Sequence, residues 1–180
     1  MKRFFIVFFF AVLFLGTVFV YTQIMLRIGS GQPPTMMPSE QLADFIVVDK
    51  WQRNLSLYDG DTLLKSYRIS LGAQPIGHKG QEGDERTPEG AYVIDWRNAK
   101  SIAHLSLHIS YPNELDRSVA AAKGVSAGGN IMIHGILNGW GWLGGLHRYF
   151  DWTNGCIAVT NSEIREIWSM VPNGTPIHIY

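Results

Sequence analysis

The run from Phe4 to Leu26 carries no charged residue, and Lys2 and Arg3 stand immediately before it. Roughly 20 apolar residues in a helix cover the hydrocarbon core of a bilayer, and basic residues tend to stay on the cytoplasmic side. The run is therefore expected to cross a membrane and to send everything after Arg27 outward. A cleaved signal peptide is the competing reading. It is disfavoured because its apolar part is commonly only about 7–15 residues long, and because no A-x-A-like site follows the run. Residues 1–28 are read as a membrane anchor or signal sequence. The rest is expected to be extracytoplasmic, on the periplasmic side and tethered to the inner membrane, or secreted if the segment is cleaved.

Beyond the anchor, residues 29–42 hold Gly29, Gly31, Pro33, Pro34 and Pro38 without periodicity, which predicts a short stiff linker. Residues 43–180 suffice for one domain. Acidic and basic residues number 15 each, so no net field argues for nucleic acid, and an anionic substrate must be met by local groups. The pattern is mostly β. Phe45–Val48 is a short apolar run, and Leu55 and Leu57 lead to a hairpin turn expected at Asp59-Gly60 before Leu63-Leu64 and Tyr67–Leu71. Residues 72–90, with five glycines and two prolines, read as a long surface loop. Strands are expected at 91–96, 103–111, 130–134, 156–159 and 176–180. Helices are expected at 113–123, opened by Asn113 and stopped by Gly124, and at 161–171, opened by a Thr160/Glu163 capping box. The glycine- and tryptophan-rich stretch 135–152 reads as a loop, or a lid.

The chain has one cysteine. In an oxidising space such a residue either pairs between chains or acts as a reactive thiol. Nucleophilic attack by sulfur on a carbonyl needs a thiolate, a base beside it and donors for the oxyanion. His134 closes one short strand and Cys156 opens the next, so adjacent strands would bring imidazole and sulfur together. Gly155 would admit a substrate backbone and leave the amides of Gly155 and Cys156 free for an oxyanion. Against this stand two blander readings, a buried structural cysteine and a histidine satisfied in the core.

At these residues the chain resembles the YkuD-type L,D-transpeptidase catalytic domain. That family's signature is a His-Gly, a variable loop, then Ser or Thr, any residue, Gly and Cys, and it is matched by His134-Gly135 and Thr153-Asn154-Gly155-Cys156. Thr87-Pro88-Glu89-Gly90 is similar to the family's T-P-x-G segment, and Asp151 to Ala158 to an Asp-Trp-Thr-x-Gly-Cys-Ile-Ala subgroup. Asn154 and Ala158 depart from the commoner His and from the commoner Arg or Asn. The resemblance implies a mostly β sandwich or barrel with minor helices, one of them in the C-terminal half. It also implies a role in cell-wall biogenesis and cell shape, with peptidoglycan stem peptides as substrate and no metal or organic cofactor. Cys156 would form a thioester with the third stem residue, with His134 as its base, and pass the stem to an amine, either another stem or a lipoprotein lysine. A hydrolase with the same pair is the alternative, and an inactive wall-binding module a weaker one.

The remaining signals are softer. Thr153, Asn154, Gly135, His147, Arg148 and Trp152 are candidate substrate contacts, with a bidentate pairing of Arg148 to a stem carboxylate the sharpest of them. Trp140 and Trp142 offer flat faces for a sugar or peptide. His104 and His108 lie four apart on an expected strand, where they would share a face, but no third ligand accompanies them. The charges from Lys79 to Arg86 read as a solvated loop.

Overall fold

The structure is a computed structural model and describes residues 2–29 and 32–180. The apolar N-terminal run forms one helix, α1 (Lys2–Ile28). It is long and apolar enough to cross a membrane, by length and composition. The stretch expected as a linker is held against the domain. Met37 donates its amide to Ser169 O at 2.8 Å, and Arg165 reaches Gln32 O at 3.1 Å, so this stretch lies along the helix near the C-terminus.

The rest is built from β1 (Phe45–Asp49), β2 (Asn54–Asp59), β3 (Thr62–Arg68), β4 (Gly90–Asn98), β5 (Ser106–Ile109), α2 (Glu114–Ala122), β6 (Met132–His134), β7 (Ile157–Ala158), α3 (Asn161–Met170) and β8 (Pro176–Ile179). The strands form one eight-stranded sheet in the order β3-β2-β1-β8-β4-β5-β6-β7. Pairing is antiparallel except for β1 with β8 and β6 with β7. The sheet curls until its two ends meet. Just past β3, the amide and carbonyl of Ser70 exchange bonds of 2.9 and 2.8 Å with Ala158 of β7. The outcome is a barrel-like sheet, and the closure leaves the short β7 without an open edge.

Alternation fills the interior. Ile46 and Val48 of β1, Leu55 and Leu57 of β2, Ile94 of β4, Ile133 of β6, and Ile177 and Ile179 of β8 are all buried. Ile164 and Ile167 of α3 join the same cluster, one helical turn apart. Both helices open as expected: Asn113 and Thr160 accept from the amides of Asp116 and Glu163, whose side chains reach back to the cap residues.

Three expectations are corrected. The β2–β3 loop is Gly60-Asp61, one residue further on, because Asp59 pairs with Thr62. The predicted strand 103–111 shrinks to β5, and His104, at φ 68°, lies outside it. Residues 135–152 are the crossover that parallel pairing of β6 and β7 demands, since a hairpin cannot join parallel strands. They carry 3-10 turns over Gly141–Tyr149 rather than a free lid.

Candidate active site

β6 and β7 run side by side, Ile133 opposite Ile157 and His134 opposite Ala158. Cys156 immediately precedes that ladder. Alternation puts its side chain on the same sheet face as His134, one diagonal away, a separation of roughly 7–8 Å between β-carbons that an imidazole can bridge. Both side chains line one cavity of about 400 Å³, with Ser106, Asn130, Met132, Trp152, Thr153 and Asn154 among its walls.

His134 is buried, and its Nδ1 lies 2.6 Å from the carbonyl oxygen of Gly135. A carbonyl only accepts, so Nδ1 carries the proton and Nε2 keeps its lone pair. Burial holds the imidazole below the usual histidine range, opposed by that carbonyl bond. Cys156 is half-buried, and its thiol donates to Asn130 O at 3.6 Å. Burial pushes this thiol up, while a Met132 backbone bond and the Lys79 ammonium pull it down by less. At neutral pH the pair is a neutral thiol and a neutral imidazole.

The turn ahead of Cys156 is held from within. Thr153 is buried, its hydroxyl donates to Cys156 O at 2.7 Å, and it accepts the Gly155 amide at 3.1 Å. The Gly155 amide is therefore engaged rather than free. Nor is the space beside Gly155 open to a substrate. Its φ is +120°, and a Cβ there would sit 2.5 Å from Arg86 O, so the glycine admits the 72–90 loop. That loop is anchored at several points. Thr87, fully buried, accepts the Gly72 amide at 3.0 Å, and Lys50 binds the carbonyls of Gly77 and Thr87 and the Glu89 carboxylate. Lys79 is also buried, 2.8 Å from Asp84, against its reading as a solvated charge. Burial alone would raise the Asp84 carboxyl, but Lys79 and three backbone amides outweigh it and hold it low.

Of the predicted substrate contacts, Trp152, Thr153 and Asn154 reach the cavity, and three do not. Gly135 lies behind His134 and acts through its carbonyl. His147 is buried on the far side of Trp152, accepting from the indole Nε1 at 3.4 Å. Arg148 is spent on Glu163, the residue that caps α3, because the crossover lies against that helix start. His104 and His108 do not share a face. His108 binds Asp95 at 2.6 Å and stacks on Trp96. Trp142 does not line the cavity either.

Sequence reasoning missed Asn130 and Ser106. Asn130 adopts φ 55° after Gly128-Gly129, a local signal for a left-handed turn that aims its carbonyl at the thiol. Ser106 stands opposite His134 on β5, a polar residue between Leu105 and Leu107 that faces the cavity instead of solvent.

A family model described as YkuD, the L,D-transpeptidase catalytic domain, matches residues 43–179. The chain belongs to this L,D-transpeptidase family. It is 32% identical over 134 residues to an Escherichia coli (strain K12) protein named "Putative L,D-transpeptidase YafK", a match covering 71% of this chain and 46% of that protein. Among solved structures, Bd1075 of Bdellovibrio bacteriovorus matches with 25% identity and a TM-score of 0.53, over 82% of this chain and 51% of that one. Pgp2 of Campylobacter jejuni, described as a helical cell shape determining protein, shares the fold at 22% identity and a TM-score of 0.57, over 88% and 54%. The chain thus spans about half the length of the relatives it matches. Of the two segments that resemble the family's motifs, His134, Thr153, Asn154 and Cys156 line the cavity.

Proposed function

We propose that this chain is a peptidoglycan L,D-transpeptidase with Cys156 as nucleophile and His134 as general base. The observation that carries the reading is the shared cavity, in which a histidine with Nδ1 locked on Gly135 O faces the only thiol of the chain. Cys156 Sγ attacks the carbonyl carbon of the third stem residue, a diaminopimelate, while Nε2 of His134 takes the thiol proton. The tetrahedral intermediate collapses, the terminal D-alanine leaves as its amine with that proton, and a thioester remains. An acceptor amine, from a second stem or a lipoprotein lysine, then gives its proton to His134 and displaces the sulfur. With thiol and imidazole both neutral at rest, the thiol must give up its proton to His134 for the sulfur to attack. The Cys156 amide is the donor left for the oxyanion, since that of Gly155 is engaged.

The domain division follows the same reading, with 1–28 an anchor, 29–42 a linker and 43–180 the catalytic domain. α1 tethers the enzyme to the inner membrane and places it in the periplasm beside its substrate. The test is mass spectrometry of muropeptides after incubation with the wild type and with Cys156→Ala. Cross-linked or lipoprotein-linked products from the wild type alone are expected. Shortened stems alone would turn the reading into a hydrolase, and identical profiles would end it. Intact mass after carbapenem treatment should show one adduct in the wild type and none in Cys156→Ala.

A further inference from the structure

The last turns of α1 are packed against the crossover between β6 and β7. Tyr21 donates its hydroxyl to Gly139 O at 3.0 Å, Trp140 Nε1 donates to Thr22 Oγ1 at 3.2 Å, and the Tyr21 and Trp140 rings meet edge-on at 6.1 Å. Thr22, Met25 and Leu26 are half-buried on this side, whereas Phe4 to Thr17 are exposed throughout. The fit is close, for a Cβ on Gly139 would lie 2.6 Å from Met25 Cγ.

Helix geometry gives this contact a height. At about 1.5 Å per residue, the roughly 30 Å of hydrocarbon takes about 20 residues, and counting from Phe4 this ends near Gln23. Tyr21, Thr22 and Met25 then lie at the outer boundary of the hydrocarbon, and what touches them lies among lipid headgroups. What lies there is Trp140 and, with its ring 6.0 Å from that of Trp140, Trp142. Trp142 is 72% exposed, an unfavourable place for an indole in water and a favourable one at a membrane interface.

The same segment leads to the cavity. Asn138, one residue before Gly139, donates its amide to Ile102 O at 2.8 Å and its side-chain amide to Ser101 O at 3.0 Å. Leu137, Ser101 and Ile102 line the cavity that holds Cys156 and His134.

We propose that the turn Gly139–Trp142 seats in the outer headgroup layer of the bilayer that α1 crosses, with Trp142 as its insertion residue. The partner is a phospholipid surface. This rests on α1 as a spanning helix and deepens the proposed function, because the Cys156 cavity is then held at a short, fixed height above the membrane. The enzyme would draw on stem peptides next to the membrane rather than on those deep in the wall.

The full chain, reconstituted in phosphatidylcholine–phosphatidylglycerol liposomes, tests this through quenching of tryptophan emission by lipids brominated on the upper acyl carbons. Carbonate washing first establishes that the chain is retained. The expected result is strong quenching in the wild type and at least a twofold smaller quenched fraction in Trp142→Phe, with carbapenem acylation of Cys156 unchanged in the variant as a control of folding. A carbonate-resistant chain whose quenching is the same in both overturns the seat and leaves the anchor standing. Release by carbonate overturns the anchor and the seat together, and leaves the chemistry at Cys156 untouched.

Discussion

Trp152 has an imidazole on each side, and the two could hardly be more alike by burial. His134 lies 5.9 Å from the indole and His147 6.3 Å, both edge-on, and both are buried and pushed below the usual histidine range by that burial. Their wiring is opposite. His134 gives its Nδ1 proton to a carbonyl and turns toward a cavity shared with a thiol. His147 accepts at Nδ1 from Trp152, so its proton sits on Nε2, which finds no hydrogen-bond partner among the described residues. The difference teaches that a depressed pKa marks burial alone, while a locked tautomer with its lone pair open to a cavity is what sets the proposed base apart.

The largest effect that would break this contrast is on rate. His134→Gln is expected to slow carbapenem acylation of Cys156 by about 10²- to 10⁴-fold. An equal loss in His147→Gln would erase the distinction. Next comes acid stability. The folded-state pKa of His147 is lowered to about 4, so the unfolded chain binds its proton more readily between there and about 6.5. Stability is full above that window and falls as pH drops through it, by about 3 kcal/mol from this group, with His134 adding in the same direction. Urea unfolding at pH 7 and pH 4 measures it. His147→Gln sharpens the contrast further. It should cost about 1–2 kcal/mol at pH 7 through lost hydrogen bonding, flatten the acid dependence, and leave acylation close to wild type. The smallest effect belongs to Arg148→Gln. Its pair with Glu163 is partly exposed, so less than about 1 kcal/mol is expected, with KM for a stem tetrapeptide unchanged. A raised KM would return Arg148 to the substrate.

The sequence rendered the fold well where short-range rules apply. Asn113 and Thr160 announce their helices through caps that need only neighbours three residues away. His134 and Cys156 were legible because a motif names residue types, and the carbonyl orienting His134 lies on the very next residue. What stayed hidden depends on pieces distant in the chain. The reason for Gly155 is Arg86, the reason for Thr87 is Gly72, and the fate of Arg148 is Glu163. Ser106 stayed hidden because alternation says which side of a strand a residue takes, not which side holds a cavity.

The turn before Cys156 has its shape only while Arg86 lies against Gly155 and the Asn130 carbonyl meets the sulfur. Each of these contacts joins segments far apart in the chain, which meet only when the domain has folded. Reactivity is thereby tied to completion. A half-assembled chain carries the thiol without the surroundings that hold it, so the sulfur reaches its final setting only when assembly has ended.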